Sequence, residues 1–163
     1  MNMKRMDFYE LVQPLTEKLY TIAYSLVPDD LQAEQLVIDG INAFLIKEKK
    51  AIFNKQIDKE NKKEVQLYRR TLMKGILRYL STIGIRRSTQ LLDQMRLTRP
   101  TEYSAFFSLE PKVRIILRLR YDSQFTVEEI GEIIQVPRYE VIEKIHNGRF
   151  LLLNDMKPGT LRD

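Results

Sequence analysis

The sequence predicts an all-α protein made of two small helical domains joined by a linker, the second of them a helix-turn-helix. Three observations predict it. Apolar residues recur at three- and four-residue spacing through most of the 163 positions. No alternating apolar/polar run and no Asn-Gly or Asp-Gly hairpin signal interrupts that pattern. A stretch poor in large apolar groups, 88–104, separates two patterned regions and carries Pro100. An apolar fraction of 44% is enough for a core. The absence of cysteine excludes a disulfide scaffold, a thiolate nucleophile and thiolate zinc sites, and agrees with a reducing compartment. Near the start, Lys4 and Arg5 meet Asp7 and Glu10 where a signal peptide would be apolar. The longest uncharged run, 19–28, is far shorter than the roughly 20 residues of a membrane helix. A soluble, cytoplasmic protein is expected.

Within 1–87, residues 7–27 place Phe8, Leu11, Val12, Leu15, Leu19, Ile22, Ala23 and Leu26 on one helical face, and Pro28 with Asp29 and Asp30 ends that helix and caps the next. Residues 31–47 read as the second helix and 65–85 as the third. Between them, 47–64 is of mixed charge and reads as loop-like. Residues 88–104 are the expected linker. In the C-terminal domain, 105–163, Phe106, Phe107, Leu109, Val113, Ile116 and Leu117 offer a surface for two short helices to pack on. Thr126 and Glu129 form a capping box at the start of the first of these helices. Val127, Ile130, Ile133 and Ile134 form its buried face, Pro137 interrupts, and Val141, Ile145, Gly148 and Leu152 form the buried face of the second. A helix presented this way can enter the major groove of DNA.

Charge is unevenly spread. The net charge of +5 divides into −4 over 1–46, +3 over 47–64, +7 over 65–99 and −1 over 100–163. Along 65–83 the helical projection puts Val65, Leu72, Ile76, Tyr79, Leu80 and Ile83 on one side and Arg70, Lys74 and Arg78 in line on the other. Like charges at i, i+4, i+8 repel, which costs a few tenths of a kcal/mol per pair and suggests an anionic partner. A phosphate backbone fits; an acidic protein surface would serve equally, and a solvated helix face is the plain alternative. In 31–47, Leu36, Val37, Gly40, Ile41, Ala43 and Phe44 oppose a narrow polar side of Gln32, Gln35, Asp39 and Asn42. On the last helix the outward face is centred on Glu143, with Tyr139, His146, Asn147 and Phe150, and with Arg138, Ile142 and Arg149 along one flank. Glu143 would repel phosphates, although it could accept from the amine of cytosine. The single histidine, His146, has no triad or metal-site spacing around it, and no glycine-rich phosphate loop occurs. The expectation is a binding protein without cofactor or metal, not an enzyme.

Two segments in this order resemble the bacterial RNA polymerase sigma factors of the extracytoplasmic-function type. Leu109-Glu110-Pro111 with Arg114, Leu117 and Leu119, then Thr126 to Ile134, is similar to that family's upstream-promoter-reading domain. The second stretch matches its Ser-Tyr-Glu-Glu-Ile-Ala-Glu-Ile-Leu pattern. Val136-Pro137, Val141, Ile145-His146 and Arg149 fit its second helix. Ala33-Glu34-Gln35-Leu36-Val37-Ile38-Asp39 stands where the family carries Ala-Glu-Asp-Leu-Val-Gln-Glu, and Leu67-Tyr68-Arg69 through Arg86-Arg87 resembles the segment from Trp-Leu-Tyr to a terminal Arg-Arg pair.

The resemblance implies that Glu34, Gln35 and Asp39 lie against core RNA polymerase. It implies that Arg70, Lys74, Arg78, Arg86 and Arg87 grip promoter DNA, and that Arg138, Tyr139, Lys144, Asn147 and Arg149 read an upstream element. An anti-sigma factor is a further partner of the kind such proteins have. The chain departs from the pattern at Gln35, Ile38, Gln66, Met73, Gln135 and Ile142-Glu143. Two other readings stay open: a sigma-like interaction protein that binds polymerase or an anti-sigma factor without reading DNA, and an ordinary helix-turn-helix regulator.

Overall fold

Pro14 decides how the chain begins. Proline has no N–H to donate and its ring crowds the preceding turn, so a continuous helix over 7–27 is not formed. Instead α1 (Arg5–Val12) passes through one 3₁₀ turn (Gln13–Leu15) into α2 (Thr16–Leu26) in this computed structural model, which describes residues 5–91 and 104–156. The apolar face survives the break. All eight expected side chains from Phe8 to Leu26 are buried.

Asp29 caps α3 (Asp30–Phe53), its carboxylate accepting from the Gln32 N–H at 3.0 Å. This helix runs past its expected end at 47. It bends at Glu48 (φ −108°, ψ 16°) and continues because Ile52 is buried, which anchors a turn that charge alone made look like loop. Asn61 then caps α4 (Lys62–Gln90), longer at both ends than expected, with Lys62, Lys63 and Glu64 as good helix formers in its first turn. Small residues let α4 approach α3 and α2 closely. A Cβ on Gly40 would stand 2.9 Å from Leu80 Cβ, and one on Gly84 would stand 2.5 Å from Leu26 Cδ1.

The C-terminal residues form α5 (Ser104–Phe107), α6 (Pro111–Tyr121), α7 (Val127–Ile134) and α8 (Arg138–Met156). Both bonds of the expected capping box are present: Thr126 Oγ1 accepts from the Glu129 N–H at 3.1 Å, and Glu129 Oε1 accepts from the Thr126 N–H at 3.0 Å. Gln135 ends α7 in the left-handed region (φ 64°, ψ 47°), which turns the chain into α8 within three residues. Leu109, Val113 and Leu117 pack with Phe106, Ile145 and Leu152. No β-strand occurs among the described residues.

The main buried cluster crosses from one region to the other. It runs from Phe8, Leu26, Leu36 and Leu80 to Ile115, Phe125, Ile133 and Val141, with α2 against α6 and α4 against α7. Among the largest fully buried side chains is a charged one, Arg114. Its Nε donates to Ser25 O at 2.6 Å, Nη1 to Leu109 O at 2.6 Å and Phe107 O at 3.3 Å, and Nη2 to Ser88 Oγ at 2.8 Å and Leu26 O at 3.2 Å. Two of these acceptors are carbonyls at the C-terminus of α2, which have no donor within their own helix. Ser88, at the expected start of the linker, is buried in α4; residues 92–103 of that segment lie outside those described.

Candidate nucleic-acid interface

Helical spacing brings Arg70, Lys74 and Arg78 into one row along α4, on the side away from Leu72, Ile76 and Leu80. The row lies at the margin of a packed face: Arg70 and Arg78 keep exposure to solvent and Lys74 is half-buried. Leu77 and Ser81 lie on the same side in the helical projection and are buried, because α7 packs over it.

Each cation of the row meets a side chain of α7 or its end. Arg70 Nη2 lies 2.9 Å from Glu129 Oε1, and the guanidinium stacks 4.5 Å from the centre of the buried Phe125 ring. Lys74 Nζ lies 3.1 Å from Glu132 Oε2 and 3.6 Å from Glu129 Oε2. With the Gln135 amide turned so that its oxygen faces the guanidinium, Oε1 accepts from Arg78 Nε at 2.8 Å and Nη2 at 2.9 Å. Residues 129, 132 and 135, spaced by three along α7 and its C-cap, run beside the row, with Glu129 bridging Arg70 and Lys74. Burial pushes the Glu129 carboxyl up, but the Thr126 N–H, Arg70 and Lys74 outweigh it and hold it below its ordinary value. The sequence reading did not pair these residues with the row. The signal available was the apolar Met73 and Leu77 off the assigned core face of α4, which require something to cover them.

Arg86 is exposed further along α4, whereas Arg87 turns to α3, its Nη2 2.6 Å from Asp39 Oδ2. Gln35 Nε2 donates to the other Asp39 oxygen at 2.9 Å. Desolvation opposes ionisation of Asp39, and the bonds from Arg87 and Gln35 more than offset it, lowering its pKa. So Asp39 and Arg87, assigned by resemblance to different partners, neutralise one another, while Glu34 is exposed beside a groove lined by Tyr20, Val37 and Ile38.

On α8, Arg138, Tyr139, Asn147 and Arg149 are all exposed, Tyr139 and Asn147 on the outward face and Arg138 and Arg149 along its flank; Lys144 is half-buried and lines a separate cleft with Lys112 and Glu140. Arg138 is held by Glu128 at 2.8 Å. The same outward side carries Ile142, Phe150 and Leu153, all exposed. Beside the row, a groove of about 450 Å³ between α3 and α4 is walled by Phe44, Tyr68 and Tyr79, with Lys55 and Arg78 at its edge.

Among the described residues no cluster of three or more His, Asp or Glu is placed to hold a metal ion, and no helix is long and apolar enough to cross a membrane. Comparison of the chain with protein-family models and with curated protein sequences finds no match.

Proposed function

We propose that this chain is an alternative sigma factor of the extracytoplasmic-function type, working in the cytoplasm: it binds core RNA polymerase through its N-terminal helices and directs initiation at specific promoters. The observation that carries the reading is the cationic row of α4. Three positive side chains in line at one-turn spacing suit a phosphate backbone, and aromatic walls in the adjoining groove suit an unstacked base. The short α7, the tight turn at Gln135 and the exposed Arg138, Tyr139, Asn147 and Arg149 of α8 support upstream reading by a helix-turn-helix. The protein performs no chemistry of its own in this role. Reconstituted transcription tests it: core polymerase plus the chain gives promoter-dependent transcripts, and the absence of transcripts despite tight polymerase binding rejects it.

One observation favours a second reading. Tyr139, Ile142, Phe150 and Leu153 expose apolar surface on the side of α8 that DNA would occupy, with Glu143 among them. A helix with that face suits a protein groove. A sigma-like protein that engages an anti-sigma factor or polymerase without reading promoters would use it so.

A further inference from the structure

We infer that α7 is an internal competitor for nucleic acid: Glu129, Glu132 and Gln135 hold the cations of the α4 row with oxygens where phosphates would bind, and the whole row is freed for phosphates when α7 lifts away. The inference rests on reading the row as a nucleic-acid surface. Its own ground is that no cation of the row is left without an oxygen from the edge of α7, Glu129 bridging two of them. Arg70, Lys74 and Arg78, at four-residue spacing, are each engaged by an oxygen from the edge of α7. Three of these oxygens belong to the two carboxylates of Glu129 and Glu132, which offer a guanidinium or ammonium the same anionic acceptors as a phosphate. Arg70 is doubly held, since its guanidinium also covers Phe125 just ahead of α7. A strand laid along the row would bring its phosphates against Glu129 and Glu132, so the strand and α7 exclude each other.

Closure is also adjustable. The bridging side chains are partly open to water, with 43% of Arg70, 29% of Lys74 and 68% of Glu132 exposed, so salt and competing polyanions reach them. When only a fraction of molecules is open, the apparent dissociation constant rises by the inverse of that fraction. A partner that pulls the C-terminal helices away from α4 would therefore raise affinity for a strand without adding a contact to it.

The test uses the full chain, a fluorescent oligothymidylate of roughly a dozen nucleotides and the double variant Glu129→Gln, Glu132→Gln. Glutamine keeps the capping box, so α7 still forms. The variant is expected to bind about tenfold tighter than wild type at low salt. A control, Glu10→Gln with Glu17→Gln, makes the same change of net charge on exposed residues of α1 and α2 and should shift binding less than twofold. Hydrogen exchange of 127–134 should accelerate when the oligonucleotide binds wild type. Equal affinity of variant and wild type, or unchanged protection of α7 in the bound state, overturns the inference. If binding is then still lost on neutralising the row, the sigma-factor reading survives that failure; if no form binds, both fall.

Discussion

Replacing Arg114 by methionine removes the donors that join the two helical regions, and the structure sets the size of the effect. The guanidinium, 1% exposed, supplies donors to four backbone carbonyls and one hydroxyl. Each buried carbonyl left without a donor costs about 1–3 kcal/mol. Counting only the three carbonyls of Ser25, Leu26 and Leu109, at the low end of that range, gives about 3 kcal/mol. A cation at the C-terminus of α2 contributes about another 0.3–1 kcal/mol through the helix dipole. Against a typical total of about 5–15 kcal/mol the loss is large. Urea unfolding followed by helical circular dichroism measures it: with a slope of roughly 2 kcal/mol per molar, the midpoint should fall by about 1.5 M or more. Arg114→Lys, which retains charge but not the planar fork of donors, should recover less than half of the loss. A methionine variant within about 0.5 M of wild type would refute the reasoning, because the carbonyls would then be satisfied without the guanidinium.

Three further outcomes are expected. Gln135 sits in the left-handed region and binds Arg78, so Gln135→Ala should destabilise by about 1 kcal/mol while Gln135→Gly, free of the backbone cost, should lie near wild type; thermal melts distinguish them. Gly40→Ala gains about 1 kcal/mol of helix propensity yet forces a Cβ to within 2.9 Å of Leu80, so a net loss of about 1–2 kcal/mol should appear in the same melts. The Glu129 carboxyl has its pKa lowered in the folded chain, so its contribution is complete above the unfolded value near 4.5 and disappears as pH falls through the lower folded value. Asp39, paired with Arg87, acts in the same direction lower still. Urea midpoints should be level from pH 7 to 5 and drop below about 4.5, and the drop should be smaller in Glu129→Gln.

The helical class was legible because burial follows periodicity: the stripe from Phe8 to Leu26, the Asp29 cap and the Thr126–Glu129 box all stand where spacing put them. Element ends were less legible. The break at Pro14 depends on one ring in an otherwise regular stripe, and the extension of α3 depends on the single buried Ile52 within a highly charged stretch. The row of α4 was readable as a line of charge, but not what covers it. Contacts between residues some 60 positions apart, such as Arg70 with Glu129, leave no periodic trace within either segment. Arg114 shows the same limit, since a cation inside an apolar helix declares itself only when the carbonyls of α2 are seen around it.

The salt dependence of single-stranded DNA binding measures the use of the α4 row most directly. Each phosphate contact contributes about −0.7 to the slope of log K against log salt on a single strand. Wild type should therefore have a slope steeper by about 2 than the variant Arg70→Gln, Lys74→Gln, Arg78→Gln. Equal slopes for the two proteins would contradict a phosphate-binding role for these three side chains.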